Sequence, residues 1–207
     1  MDQSVTIPAL PMPLHWQSPP LGWRVADGGA LTITAGARSD LFVDPQGTAA
    51  ALNAPCLVGR PTGDFLLRAR VTVDFAATYD AGVLLLWEHE RVWAKLCFEY
   101  SPQRQPMVVS VVTRGVSDDC NSFEVDGHQV WLRVARLGPA FAFHASTDGS
   151  FWQLVRYFAL DAGIGARAGA APAVGFLAQS PTGEGCSVTF ADIGFRPERL
   201  RDLRSGQ

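Results

Sequence analysis

The residues with the clearest capacity for chemistry lie in residues 79–100, where charged and aromatic side chains interrupt an apolar run. The pattern is typical of a β-hairpin whose second strand carries four functional side chains on one face, by period-two alternation. These side chains are Trp93, Lys95, Cys97 and Glu99. Lys95 and Glu99 are then about 13 Å apart along the strand, so they pair only if side chains of a neighbouring strand bridge them.

Lys95 is the only lysine of the chain, which has 16 arginines. A lysine ammonium is a compact point charge, whereas an arginine guanidinium is a planar fork, and the two are not interchangeable. A lysine retained in mid-strand therefore suggests a site that needs the compact cation. The alternative is a chance survivor that reaches solvent past Trp93, and both interpretations stay open.

Carboxylates that could work in pairs form a second group of candidates. Glycoside hydrolysis needs two carboxyl groups about 5–5.5 Å apart for retention of configuration, or about 6.5–9.5 Å apart for inversion. Glu99 meets this requirement with Asp80 or Asp118 only if strands bring them together, which the sequence does not reveal. Glu88 and Glu90 have the inverting separation on a regular strand, but they lie at the expected hairpin turn, where solvated carboxylates are common.

Motifs for other chemistries are absent from the sequence. It has no GxSxG nucleophile elbow, no Walker A loop, no GxGxxG after a strand and no HExxH. Its four histidines are scattered, and its four cysteines are far apart and form no CxxC. We therefore expect no metal site, no cofactor and free thiols.

The strand period dominates the sequence, and the helical period is hard to find. In residues 65–75 every odd position is apolar and most even positions are polar, which predicts a half-buried antiparallel strand. Asp-Gly turns, such as Asp126-Gly127 and Asp148-Gly149, separate other strand-like runs. We predict an all-β fold, a two-sheet antiparallel jelly-roll sandwich.

The sandwich is expected to form a single domain over residues 1–196. A charged C-terminal tail, residues 197–207, follows it, and its simplest interpretation is a solvated segment. Residues 161–171 are rich in Ala and Gly and are expected to form a loop.

Composition narrows the choice of partners and location. Hydrophobic residues make up 47% and charged residues 18% of the 207, and the net charge is −3. A protein without a basic surface is not expected to bind nucleic acid. No apolar run approaches the roughly 18 residues of a membrane span, and the first residues lack the features of a signal peptide, so we expect no membrane partner and a cytoplasmic location.

Motifs spread along the chain resemble those of a known family. They are Trp16-Gln17-Ser18-Pro19-Pro20, Tyr79-Asp80-Ala81-Gly82, Trp93-Ala94-Lys95, Glu99, Ser110-Val111-Val112-Thr113, Ser117-Asp118, Trp131-Leu132-Arg133-Val134 and Ser146-Thr147-Asp148-Gly149 with Trp152. Because these motifs come in the same order, the chain resembles the poorly characterised family that includes the fungal regulator-of-enolase protein. The resemblance implies a concanavalin A-like fold of the lectin and glucanase superfamily. The chain departs from the family in lacking one polar residue near Tyr79, and in having Asp119 where the family has Trp.

The resemblance also implies a ligand surface on the concave face of one sheet. The polar positions that match the family's motifs are Asp80, Lys95, Glu99, Thr113, Ser117, Asp118 and Arg133. We expect aromatic platforms and charged groups to meet on that face, an arrangement that suits a carbohydrate or a sugar phosphate. The residues expected to meet there are Trp93, Lys95, Glu99, Trp131 and Arg133. The alternative is a satisfied salt-bridge network without a ligand.

Three functions remain open at this point. The first is a carbohydrate- or sugar-phosphate-binding domain, which needs an aromatic and polar cleft. The second is a glycoside-acting hydrolase that uses Glu99 with an Asp and needs one raised carboxyl pKa. The third is a regulatory or protein-interaction domain that forms a homodimer and needs an exposed apolar patch.

Overall fold

The computed structural model describes residues 4–160 and 172–207, and the regular structure within them consists of β-strands. The strands are β1 (His15–Ser18), β2 (Gly22–Val25), β3 (Leu31–Gly36), β4 (Leu41–Val43), β5 (Ala50–Leu52), β6 (Cys56–Gly59), β7 (Phe65–Val73), β8 (Ala81–His89), β9 (Val92–Tyr100), β10 (Pro106–Arg114), β11 (Val116–Glu124), β12 (Gln129–Leu137), β13 (Ala140–Ser146), β14 (Gln153–Ala159), β15 (Ala173–Gln179) and β16 (Gly185–Arg196). The expected loop at residues 161–171 lies outside the described residues.

Two seven-stranded antiparallel sheets form a sandwich. Sheet I has the order β1-β6-β15-β8-β9-β10-β11, and sheet II has the order β14-β13-β12-β7-β16-β3-β2. A short hairpin of β4 and β5 makes a separate two-stranded sheet. The predicted all-β, two-sheet antiparallel sandwich is therefore confirmed.

The main core lies between the two sheets. In β7 the side chains of Phe65, Leu67, Ala69, Val71 and Val73 are at most 1% exposed and point into this core, as the period-two pattern predicts. The intervening side chains point away from it, and they include two arginines whose environment is described below. Alternation alone therefore assigns the inner face of this strand.

Sheet I has a second apolar cluster on the face that points away from sheet II. The β4–β5 hairpin lies over this face and packs Leu41 against residues of the sheet. The backbone N–H of Val43 donates to Ser117 Oγ at 3.0 Å, and that hydroxyl lies 2.9 Å from Thr113 Oγ1. Because the hairpin covers the sheet, β9 is buried on both faces, and its alternation of apolar and polar residues does not mark a solvent-facing side.

Both open edges of the sandwich are closed by side chains. At one edge the ring centroids of Trp16 and Trp23 are 6.1 Å apart. At the other, Arg156 of β14 makes a 2.9 Å ion pair with Asp118 of β11 and donates to the carbonyl of Ser110. These contacts join the outermost strands of the two sheets.

The C-terminal tail packs on the outer face of sheet II instead of extending into solvent. Leu200 is 7% exposed and joins a cluster with Leu66, Ala135, Leu137 and Ala142. The tail is therefore part of the folded structure. Among residues 4–160 and 172–207 there is no helix with the length and apolar character needed to cross a membrane.

Close packing of strands makes Gly175 of β15 a sensitive position. An added Cβ would lie less than 3.0 Å from the Leu57 carbonyl oxygen of neighbouring β6, which is backbone and cannot move aside independently. We expect Gly175→Ala to destabilise the protein by ~3 kcal/mol through overpacking, which corresponds to a fall of roughly 6–12 °C in Tm for a protein of this size. Thermal unfolding followed by circular dichroism measures the change.

Gly28→Ala is the matched control, because nothing lies within 4 Å of the position that its Cβ would occupy. Its Tm should stay close to that of the unmodified protein. Equal Tm values for Gly175→Ala and Gly28→Ala would contradict the described packing of β15 against β6.

Candidate functional site

A pocket opens on the outer face of sheet I, beside the β4–β5 hairpin, with a cavity volume of about 290 Å³. It is lined by Asp40, Phe42, Tyr79, Lys95, Glu99, Val111, Asp119, Gln179 and Pro181. Strands β4, β9, β10, β11 and β15 contribute to the lining. Its other residues lie just before β4, just before β8 and just after β15. Segments that are distant in the sequence thus converge on one polar cavity.

Lys95 lies at the floor of the pocket, with 2% of its side chain exposed. Its Nζ donates to Gln179 Oε1 at 2.9 Å and lies 3.6 Å from Asp40 Oδ1. The ammonium also sits 5.7 Å from the ring centroid of Trp93. An ammonium has three N–H donors, so a third donor is left without an acceptor among the described residues.

Acidic groups around Lys95 keep it charged. Burial by itself disfavours the ammonium, but the electrostatic effect of its neighbours outweighs burial and raises the pKa of Lys95. These neighbours are Cys97, Asp40, Glu99 and Asp119, and the ion pair with Asp40 at 3.6 Å is the one that persists while the Cys97 thiol and the Glu99 carboxyl are protonated. Lys95 is therefore a buried cation, and it does not reach solvent past Trp93.

Glu99 differs from an ordinary surface carboxylate. Burial raises the pKa of Glu99 to about 8, against the opposing effect of Lys95. Asp119 and Asp40 add to the rise, because like charges in one site disfavour ionisation. Burial also raises the pKa of Asp119 itself. The pocket consequently holds a carboxyl group that keeps its proton near neutral pH.

The lining of the pocket also includes the apolar side chains of Phe42, Tyr79 and Pro181. Tyr79 is 39% exposed and has a φ of +70°, in the left-handed region that non-glycine residues rarely adopt. Two hydrogen bonds hold the Tyr79 backbone there. Its N–H donates to the Tyr100 carbonyl at 2.7 Å, and its carbonyl accepts from the side chain of Gln179, at Nε2, at 3.3 Å. A strained backbone at the mouth of a pocket is a common feature of ligand sites.

Of the nine residues predicted to bind a ligand, Lys95 and Glu99 line the pocket, and Trp93 lies beneath it, fully buried. Asp80 is also fully buried but faces away from the cavity. Its carboxylate accepts from the backbone N–H groups of Ala76 and Ala77 and from Ser180 Oγ. These contacts fix the turn that carries Tyr79.

Three more predicted residues belong to sheet I, but outside the pocket lining. Thr113 and Ser117 bind each other and hold the β4–β5 hairpin, as described above. Asp118 makes its ion pair with Arg156 at the edge of the sandwich, whereas Asp119 lines the pocket. The three are therefore in contacts that stabilise the fold around the site.

The expectation that Trp131 and Arg133 meet Lys95 on one face is wrong. Both belong to β12 of sheet II, where they lie on the outer face of the opposite sheet. Both strands carry Trp-x-basic patterns, so alternation is the same in β9 and β12. Sheet membership depends on long-range pairing, which this pattern does not encode.

Sequence reasoning missed several pocket residues: Asp40, Phe42, Tyr79, Asp119 and Gln179. Asp119 is adjacent to the predicted Asp118 on β11, so a choice of the other strand face would have found it, whereas Tyr79 precedes the predicted Asp80 in a turn before β8. Gln179 and Asp40 carry no local signal, because β15 and the hairpin reach the site through tertiary packing. No group of three or more His, Cys, Asp or Glu side chains in the described parts of the chain is arranged to hold a metal ion.

The two seven-stranded antiparallel sheets, with a polar pocket on one outer face, form an all-β sandwich. The chain belongs to the family described as "Protein of unknown function (DUF1349)", whose model matches residues 16–198. Among curated protein sequences, none matches the chain significantly.

Solved structures support the same class. A functionally unknown protein from Saccharomyces cerevisiae is similar with a TM-score of 0.79 and 22% identity, over 89% of this chain and 96% of that chain. A mutant of the GH43 protein BlXynB from Bacillus licheniformis has a TM-score of 0.69 and 16% identity, over 94% of this chain but only 37% of that chain. The alginate lyase from Klebsiella pneumoniae has a TM-score of 0.56 and 12% identity, over 84% and 83% of the two chains. At these identities the likeness concerns the fold alone.

The raised pKa of Glu99 predicts a pH-dependent stability. The folded protein retains a proton that the unfolded chain releases above about pH 4.5, so the contribution of Glu99 is fully present below about pH 4.5 and is lost as the pH rises towards about 8. Glu99→Gln imitates the protonated side chain. We expect it to leave stability unchanged at pH 4.5 and to raise it by ~2 kcal/mol at pH 8.5, a value reduced for partial solvent screening.

Urea unfolding at the two pH values measures this difference. Glu90→Gln is the control, because Glu90 is exposed at the turn between β8 and β9. A Glu99→Gln variant that gains no stability relative to this control between pH 4.5 and pH 8.5 would show that Glu99 ionises normally.

Proposed function

We propose that the pocket on sheet I binds a neutral carbohydrate. The observation that carries this proposal is the combination, in one lining, of apolar side chains with hydrogen-bond donors and acceptors. A cavity of about 290 Å³ lies near the lower end of the range for small-molecule sites, so it suits one or two sugar rings better than a long chain. Phe42 and Tyr79 supply apolar surface against which a sugar ring face packs.

The charges of the pocket favour a neutral sugar over a sugar phosphate. Sugar hydroxyls both donate and accept hydrogen bonds. They can accept from the free N–H of Lys95 and from the protonated carboxyl of Glu99, and they can donate to Asp119. A phosphate would lie beside the carboxylates of Asp40 and Asp119 with one lysine to offset them, and like-charge proximity opposes its binding.

Calorimetric titration tests the proposal with D-glucose, D-galactose, D-xylose and their methyl glycosides, beside glucose 6-phosphate. We expect at least one neutral sugar to bind, with a change in the fluorescence of buried Trp93. Lys95→Met removes a charged donor while keeping a similar volume, and a hydrogen bond to a charged group contributes about 1.5–3 kcal/mol, so affinity should fall roughly 10- to 100-fold.

Arg114→Met is the matched control, since it removes an exposed cation from the neighbouring strand β10. It should bind as tightly as the unmodified protein. Tighter binding of the sugar phosphate than of the parent sugar, or equal losses in the two variants, would contradict the proposal.

Hydrolysis of a glycoside is the second candidate, and the raised pKa of Glu99 is the observation that favours it. A carboxyl group that is protonated at neutral pH is suited to act as the general acid that protonates a leaving oxygen. Asp119 in the same pocket would then activate water. The similarity to part of a GH43 protein chain supports a carbohydrate ligand without assigning the reaction.

Release of nitrophenol from aryl glycosides tests this candidate. Glu99→Gln should abolish turnover while sugar binding persists, and Glu90→Gln should retain full turnover. Turnover that survives in Glu99→Gln removes this residue from the reaction, and absence of turnover in the unmodified protein leaves the pocket as a binding site.

A regulatory role in the cytoplasm, through a homodimer or another protein contact, is the competing proposal. Its support is the resemblance to the family of the fungal regulator-of-enolase protein. The exposed large apolar side chains, such as Leu21, Phe151 and Tyr157, are distributed over different elements. Because a protein interface needs a contiguous apolar patch, this arrangement favours the carbohydrate proposal.

A further inference from the structure

The outer face of sheet II carries a row of basic side chains that the pocket on sheet I does not use. Three of them lie side by side on adjacent strands β7, β12 and β13: Arg68, Arg133 and His144. Arg68 and Arg133 are direct cross-strand partners. Like charges in such a pair are destabilising, so this pairing requires an explanation.

Arg133 is buried, with 6% of its surface exposed. Its guanidinium stacks over Trp152 at 4.1 Å, and its Nη2 donates to the Gly206 carbonyl at 2.7 Å. Its Nε is buried without a hydrogen-bond partner. Burial, together with the nearby charges of Arg196 and Arg68, lowers the pKa of Arg133 to about 10.

The carboxylates close to this row are engaged elsewhere. Asp192 makes a 2.8 Å ion pair with Arg70, and Glu198 pairs with Arg196. Asp202 accepts hydrogen bonds from backbone N–H groups of its own turn. Within the described parts of the chain, neither the exposed Arg68 nor the buried Arg133 therefore has a carboxylate partner, although a buried charge such as that of Arg133 ordinarily has one.

The tail supplies only neutral acceptors to this row. The Leu203 carbonyl lies 2.9 Å from His144 Nε2, and the Gly206 carbonyl occupies the position beside Arg133 where an anion would bind. Backbone hydrogen bonds between Asp202 and Gln207 close the tail into a small loop above the row. A peptide carbonyl satisfies one N–H of the guanidinium and neutralises none of its charge.

We propose that Arg133 and Arg68 form an oxyanion-binding site for a carboxylate or phosphate group, with Trp131 and Trp152 as its apolar walls, and that residues 200–206 cover it until an anion displaces them. A guanidinium binds both kinds of oxyanion through paired N–H donors. Arg68 lies over Trp131 at 5.4 Å, as Arg133 lies over Trp152, so each cation has an aromatic support. This site lies on the opposite sheet from the pocket and is independent of it.

Gly206→Ala tests the proposal without altering the site itself. Gly206 has a φ of +72°, and an added Cβ would lie less than 3.0 Å from Arg133 Nη2 and 2.8 Å from Trp152 Cβ, so the end of the tail must move away. Gly127→Ala is the control, since Gly127 has a φ of +92° and open space around it. Trypsin cleavage after Arg201 and Arg204 reports release of the tail.

The probes are inorganic phosphate and D-glucuronate, with D-glucose as the neutral counterpart of the second. We expect Gly206→Ala to bind one of the anions at least 10-fold more tightly than the unmodified protein and Gly127→Ala. Adding Arg133→Met should remove the gain. A gain for phosphate alone indicates a phosphoryl ligand, and a gain for glucuronate alone indicates a carboxylate ligand.

Two results would overturn the proposal: a released tail with unchanged affinity for both anions, or a gain that persists in the Arg133→Met background. If trypsin shows that the tail of Gly206→Ala stays in place, Leu200→Ser releases it by a second route. Leu200 is the buried anchor of the tail, and the same gain in anion affinity is expected. Released Leu200→Ser protein with unchanged affinity would reject the site.

Discussion

The buried charge of Lys95 sets the requirements for the region around the pocket. An ammonium removed from water is stable only where charged and hydrogen-bonding partners replace the solvent. Asp40 and Gln179 supply those partners, and each comes from a segment far from β9 in the sequence. Asp40 also begins the β4–β5 hairpin, where its carboxylate accepts from the backbone N–H of Leu41. The position of the hairpin and the charge of the lysine therefore stabilise each other.

Charged side chains have different surroundings on the two outer faces of the sandwich. On sheet I, a cation lies among several carboxyl groups, one of which is held protonated. On sheet II, two arginines lie together over tryptophan rings, and a peptide carbonyl is the acceptor of one of them. Each face is covered by a short segment of the same chain. The inward faces of both sheets, in contrast, are predominantly apolar.

The sequence allowed the fold to be predicted well but the site only in part. Alternation identifies β7 and β9, because the side-chain period of a strand is two whatever its surroundings. It does not state which sheet a strand joins, so Trp131 and Arg133 of β12 resembled Trp93 and Lys95 of β9. Asp118 was predicted to bind a ligand, but Asp119 lines the pocket, because adjacent residues of a strand point to opposite faces. Asp40 and Gln179 depend on tertiary packing alone.

The strand order of sheet I has a consequence for biosynthesis. β15 lies between β6 and β8 in the sheet, although more than 80 residues separate it from either strand in the sequence. It also carries Gln179, whose side-chain oxygen accepts the hydrogen bond from Lys95. Until the ribosome has made β15, no strand joins β6 to β8, and Lys95 lacks its hydrogen-bond acceptor Gln179. Sheet I and its pocket therefore close together, after most of the chain has emerged. Until then, a nascent chain exposes the unpaired edges of two apolar strands, and an unpaired edge is a template for pairing with another chain.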